Sequence, residues 1–174
     1  MKKEALEVLK NRRSIRNYKP DQIAREELDT VLEAGTFAPT ARGGQSPVIV
    51  AVQDPDTVVK LDEINARVLN SEPGDRPYYG APTILLVLAP NDSRLSIEDC
   101  SSVAGNLLNA AYAVGLGSCW INRSKEMFET AEGKDLLRNW GLEGMEGVVS
   151  IALGYADGPH PVAIPRKEGY IVEI

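Results

Sequence analysis

The sequence predicts a single domain that mixes helices with buried strands, and three observations carry that prediction. Short aliphatic runs, "VIVAVQ" (48–53), "TILLVLA" (83–89) and "VVSIALGY" (148–155), have strand length, and β-branched residues are frequent in them. The stretches between them carry apolar residues at helical spacing. The length of 174 residues suits one sizeable core spanning 1–174 and is short for two.

The elements follow in order. "KEALEVLKN" places Leu6 and Leu9 on a helical stripe, with Asn11 as its stop and a Glu/Lys pattern over Lys2–Lys10 as its solvated face. "SIRNYKP" is extended or looped, because residues before Pro20 avoid the helical region. Helix returns near Arg25, with Leu28, Val31, Leu32 and Gly35 on one face. Pro39 ends it, and "PTARGGQSP" is a loop. After the first strand, Asp54, Pro55 and Asp56 start a helix whose inner face is Leu61, Ile64 and Val68. "NSEPGDRPYYGAP" is a long irregular connection of the kind that often carries function. The helix from Ser96 to about Val114 is small or apolar on nearly every face, which predicts burial on several sides, one of them available to a second subunit. Ser96 followed by Asp99 resembles a capping box at its start. Gly115 and Gly117 end that helix, and "SCWI" reads as a short strand. Helical signal resumes from Lys125, with Phe128, Leu136, Leu137 and Trp140 inward. The tail from Ala156 is rich in Pro and Gly and ends in the strand-like "GYIVEI"; it has little core of its own and needs a surface to lie on.

Charge and composition exclude several functions. A net charge of −6 argues against broad nucleic-acid binding, which needs a basic footprint. Two cysteines, Cys100 and Cys119, form neither a four-cysteine metal pattern nor a disulfide framework, and they read as core residues beside apolar segments. A lone histidine, His160, in the turn-like "DGPHP" leaves nothing for a His-based metal site or triad. The charged, amphipathic start does not resemble a signal peptide, and the apolar run from Ala81 to Pro90 is too short to span a bilayer. The expectation is a soluble cytoplasmic protein without membrane or nucleic-acid partners.

Against this acidic background, "RRSIRNYKP" packs Arg12, Arg13 and Arg16 around Ser14. The arginine fork matches phosphate, and the serine adds a hydroxyl donor, so the run reads either as a site for one small anion or as a solvated patch. Arg166–Lys167 forms a second basic group that a folded-back tail would bring to the same phosphate. There is no P-loop and no G-x-G-x-x-G, and "GLGS" is too weak to define a dinucleotide fold. An anion here is held by side chains more than by a glycine cradle. Trp120 and Trp140 read as packing residues; Tyr78 and Tyr79 either line a pocket or anchor a loop.

Taken in order, "RRSIRNYKP", "EAGTFAPTARGGQSP", "YYGAPTILLVLA", "NLLNAAYAVGLGSCWI", "ALGYADG" and "PRK" resemble the motifs of the FMN-dependent nitroreductase superfamily, over nearly the whole chain. The resemblance implies an α+β fold. A central antiparallel sheet is flanked by helices, and an intertwined homodimer extends each C-terminal segment onto its partner, with FMN between the subunits. It implies that Arg12, Arg13, Ser14 and Arg16 match the first flavin motif, with Arg12 and Ser14 meeting the FMN phosphate and Arg16 facing the pyrimidine end of the ring. A cation there stabilises the anionic reduced flavin. It implies that Pro39, Thr40 and Ala41 reach the flavin from the other subunit. Asn122 falls where a backbone N–H meets flavin N5, and Arg166 matches the C-terminal phosphate arginine. Asn70 either bonds the pyrimidine edge or caps its helix. No catalytic side chain and no metal are implied, because the flavin carries the chemistry. It takes a hydride from NADH or NADPH, the donor leaves, and a nitroaromatic, quinone or similar small acceptor binds over the same ring face. An enoate reductase, a dehalogenase and a flavin-storing protein are alternatives, as is a structural dimer whose arginines are only surface. The sequence departs from the family pattern at Gly43–Gly44, where Asn is common, at "QSPVI", which lacks the usual aromatic, and at Ile164, where a lysine often stands. The chain is also short for the insertions that often cover the substrate site.

Overall fold

The computed structural model describes residues 4–72 and 74–174. Lys2 and Lys3, at the start of the expected solvated face, and Pro73, in the long connection, lie outside them. Four strands, β1 (Val48–Val52), β2 (Thr83–Pro90), β3 (Gly117–Ile121) and β4 (Met145–Gly154), pair in the order β1–β2–β4–β3, antiparallel throughout. The helices are α1 (Ala5–Asn11), α2 (Arg25–Thr36), α3 (Pro55–Leu69), α4 (Ser96–Ala113), α5 (Ser124–Glu129) and α6 (Ala131–Asn139).

Helices cover both faces of this sheet. Ile84, Leu86 and Leu88 of β2 pack into a layer with α3, α5 and α6, while Leu85, Val87 and Ala89 pack into a layer with α2 and α4. Double burial explains why β2 is apolar at consecutive positions instead of alternating. The antiparallel α+β architecture implied by the motifs is the one observed.

Local chemistry accounts for the boundaries. Asp54 caps α3 by accepting from the Thr57 amide at 2.9 Å, with Pro55 in the first turn. The expected single helical run after β3 breaks in two at Thr130, whose hydroxyl accepts from the Gly133 amide at 3.0 Å and so starts α6. Three other expectations change. Leu6 and Leu9 of α1 are exposed, and Val8 is the residue it buries. Ser96 and Asp99 do not form a capping box: Leu95 is the N-cap of α4, without a side-chain bond, and Asp99 is used elsewhere. Trp120 is partly exposed on β3, whereas Trp140 packs edge-on against Phe128. The segment "GYIVEI" forms no strand within its own chain, and Ile164, Tyr170, Ile171, Val172 and Ile174 all stand exposed.

Candidate functional site

The arginine run lies along the β3 edge of the sheet, held from two sides. The Ile15 amide donates to the Ser118 carbonyl at 3.0 Å, and Ser14 pairs with Ser118 in a parallel bridge. On the other side Tyr18 pairs with Ala156, the Lys19 amide donates to the Tyr155 carbonyl at 2.9 Å, and the Asp157 amide donates to the Asn17 carbonyl at 3.0 Å. Ile15 is buried against Gly117, where a Cβ would lie 3.0 Å from its side chain. Tyr18 donates to the Ile15 carbonyl at 2.7 Å, and burial pushes its phenol pKa well up. Backbone pairing and two buried side chains therefore fix where the arginines stand.

Arg12 and Arg13 line a cavity of about 340 Å³ together with Tyr112 from the end of α4, Ser118 and His160. Arg13 is partly committed to structure: its Nη1 donates to the Lys10 carbonyl at 2.8 Å and the Arg12 carbonyl at 2.7 Å, satisfying the end of α1. His160 Nε2 donates to the Asn11 carbonyl at 2.8 Å, and its ring packs on Tyr112 at 5.3 Å. Two buried polar atoms in this wall, Arg13 Nε and Ser118 Oγ, have no hydrogen-bond partner among the described residues. Cys119 sits beneath: burial raises its thiol pKa, and Arg16, Ser14 and Arg12 pull against that shift. A cationic wall with unpartnered donors suits a small anion. A buried thiol with a raised pKa does not suit nucleophilic attack.

Arg16 leaves this cavity and stands 5.9 Å from the centre of the Tyr79 ring. Tyr79 has φ of +57° and follows Tyr78, whose amide donates to the buried Asp62 carboxylate at 2.9 Å. Asp62 also pairs with Arg76 at 3.1 Å. The long connection is thus pinned to α3, with Tyr78 as the buried anchor and Tyr79 turned outward.

The remaining expected residues lie elsewhere. The Ala41 amide donates to Asp99 at 2.8 Å, and the Thr40 hydroxyl accepts from the Gln45 amide at 3.0 Å. Pro39, Thr40 and Ala41 therefore sit near the start of α4, whereas Tyr112 of the arginine cavity sits near its end. Tyr112 lies thirteen helical steps beyond Asp99, about 20 Å along the axis. Thr40 also borders an apolar cavity of about 360 Å³ with Gly35, Gln45, Ile49 and Val103. Asn70 is the C-cap of α3 in the left-handed region, φ +51°. Asn122 follows β3, and its carbonyl accepts from the buried Asn65 amide at 3.4 Å. Arg166 lies on the exposed tail, donates to the Ile164 carbonyl at 2.6 Å and is not part of the arginine cavity wall.

Ser118, Tyr112 and Asn65 did not stand out in the sequence, and Asp99 stood out only as half of a capping box. Ser118 carries a signal, a hydroxyl inside the otherwise apolar "GSCWI"; Asp99 and Asn65 carry only the anomaly of a polar residue on an inward helix face.

An antiparallel sheet sheathed in helices, with an arginine-lined cavity at one edge, defines an α+β protein. The chain belongs to the nitroreductase family, whose model matches residues 9–155. A nitroreductase with bound FMN from Bacteroides fragilis shares the fold with a TM-score of 0.91 and 28% identity, over 99% of each chain. A protein of Methanothermobacter thermautotrophicus, provisionally named NADH dehydrogenase/NAD(P)H nitroreductase, is 30% identical over 125 residues, 68% of this chain and 61% of its own length. The NAD(P)H-dependent FMN reductase of Bacillus subtilis is 30% identical over 117 residues, 66% of this chain and 44% of its own length. The match thus spans less than two thirds of the length of both curated relatives.

Proposed function

We propose that the protein is a homodimeric FMN oxidoreductase that takes electrons from NADH or NADPH and passes them to an electron-poor small molecule such as a nitroaromatic or a quinone. One observation carries the reading. The cavity beside Arg12 and Arg13 is cationic, and two of its buried polar atoms, Arg13 Nε and Ser118 Oγ, have no partner among the described residues. The terminal phosphate of FMN fits that wall, since burying a polar atom without a partner costs about 1–3 kcal/mol. FMN, when bound, supplies hydride acceptance and donation at its N5.

The chain's own residues bind and tune. Arg12 and Ser14 hold the phosphate end; Arg13 contributes there while closing α1. Arg16 places its charge toward the pyrimidine end, steadied by Tyr79. The Asn122 backbone amide is offered to N5, and Asn70, whose backbone terminates α3, offers its side chain to the pyrimidine edge. Pro39, Thr40 and Ala41 lie at the far end of α4 from the arginine cavity, so they serve the flavin held by a second copy. Arg166 acts likewise from a tail that finds no support on its own chain. The exposed apolar residues of the tail and of α1 support the dimer. Among the described residues no side chain near the arginines is poised as a nucleophile, which suits a reaction carried by the cofactor.

The test is the absorption spectrum of the purified protein, identification of the chromophore released on denaturation, and anaerobic addition of NADH and NADPH. One FMN per chain, bleached by either donor and reoxidised by a quinone, is the expected result. A colourless protein that does not bind FMN at micromolar concentration refutes the proposal. A flavin that neither donor reduces leaves storage as the function.

A further inference from the structure

We infer that Asn65 is a positioning residue: from α3 it holds the turn after β3, and through that turn it sets how the Asn122 backbone meets the flavin. The inference rests on the flavin reading above. Asn65 is fully buried, 0% exposed, on a helix face it shares with Val58, Leu61, Ile64 and the buried carboxylate Asp62. Its amide Nδ2 donates to the Asn122 carbonyl at 3.4 Å, and its side chain also hydrogen-bonds the buried Tyr78 hydroxyl. A carbonyl only accepts, so Nδ2 faces the turn and the amide orientation is fixed. Oδ1 is then left without a partner among the described residues. The neighbouring Tyr78 hydroxyl donates to Met127 Sδ at 3.4 Å and so leaves Oδ1 unserved, while it accepts from the Asn65 amide that also reaches the turn. An apolar residue in this layer would avoid an orphaned amide oxygen altogether. Its presence points to a use for the donor.

The turn needs such a donor. Arg123, immediately after Asn122, has φ of +74°, a region that side chains other than glycine enter at a cost of about 1–2 kcal/mol. The next residue, Ser124, is pressed from the sheet side: a Cβ on Gly147 of β4 would lie 2.5 Å from its carbonyl oxygen. Helix α3 on one side and β4 on the other therefore clamp a strained turn. A backbone donor held that way is preorganised, which is what lets an amide favour one redox state of a ring placed against it. Asn65 never touches the ring; it acts through the peptide that does.

Asn65→Leu removes the donor at similar volume, and three measurements read the result. In the flavin-free protein, amide exchange at 122–124 is expected to rise about ten-fold while the central strands keep their protection. In the loaded protein, FMN stoichiometry stays near wild type, since the phosphate contacts are remote. The two-electron reduction equilibrium shifts at least about five-fold toward reduced flavin, the worth of one hydrogen bond, because the amide donor meets a lone pair at N5 only in the oxidised ring. Adding Arg123→Gly, which lets the turn keep its shape unaided, is expected to restore most of both effects. Asn65→Ser, too short to make the bond, is read the same way if the leucine variant does not fold. Unchanged exchange, or faster exchange with a wild-type potential, overturns the inference. A wild-type protein that holds no FMN refutes the flavin reading instead, and the exchange result alone then judges the clamp.

Discussion

At the scale of the residue, the arginines of one short run have different surroundings, so they should fail differently. Arg12 lines the cavity near the end of α4, Arg13 is bonded to the end of α1, and Arg16 stands over Tyr79. Arg12→Ala is expected to weaken FMN binding about ten- to a hundred-fold, the worth of one charge-assisted contact, with little change in midpoint potential. Arg16→Ala should make the bound flavin harder to reduce, because negative charge near N1 develops only on reduction. FMN titration and redox titration of both variants separate the two roles. The thiols give a second test. Burial, and then the Asp99 and Glu146 carboxylates, push the Cys100 pKa from 9.0 up to about 12. The folded state therefore keeps this proton where the unfolded chain loses it, so the contribution is fully present below pH 9 and is lost as pH rises from 9 toward 12. Thermal melting should fall across that window, less steeply in Cys100→Ala. Neither thiol should react with a disulfide reagent at pH 8 until the chain unfolds.

Elements pack around their glycines, and two glycines predict opposite outcomes. A Cβ on Gly133, in the first turn of α6, would lie 2.1 Å from the Met127 carbonyl oxygen. Gly133→Ala must pry α6 from α5, and denaturant unfolding should report a loss of about 1–3 kcal/mol. Gly105, in the middle of α4, meets nothing within 4 Å in its own chain. By helix propensity Gly105→Ala should stabilise a lone chain by roughly 0.5–1 kcal/mol. If α4 packs against a second copy there, the same methyl should weaken the dimer. Sedimentation across a concentration series, run beside unfolding, distinguishes the two.

For the whole molecule, the tail decides. From Val162 onward every residue is exposed, and none belongs to either hydrophobic layer. Truncation after Pro161 is expected to leave the four-stranded sheet folded, by circular dichroism, while the proposed dimer and its FMN dissociate more readily. Intertwined interfaces of this kind bury on the order of 2,000 Å² or more. Light scattering that finds a full-length monomer still holding FMN would overturn the shared-site reading, since the Pro39–Ala41 loop cannot come from the same end of α4.

The sequence by itself determined what depends on near neighbours. The strand runs, the Asp54 cap with Pro55, the stop at Pro39 and the all-round apolar character of α4 follow from spacing and side-chain chemistry within a few residues. The ordered motifs also made the fold legible. Only tertiary structure decided which polar groups meet. Asp99 looked like half of a capping box, yet its carboxylate holds the Ala41 amide 58 residues away. Asn70 left two readings open, and the backbone took the cap, while the amide that reaches the turn after β3 belongs to Asn65, 57 residues from its acceptor. Ser14 found Ser118 across the edge of the sheet. Such pairs carry no local signature, because a buried donor takes whichever acceptor packing delivers, and packing is settled by the two apolar layers of the whole sheet.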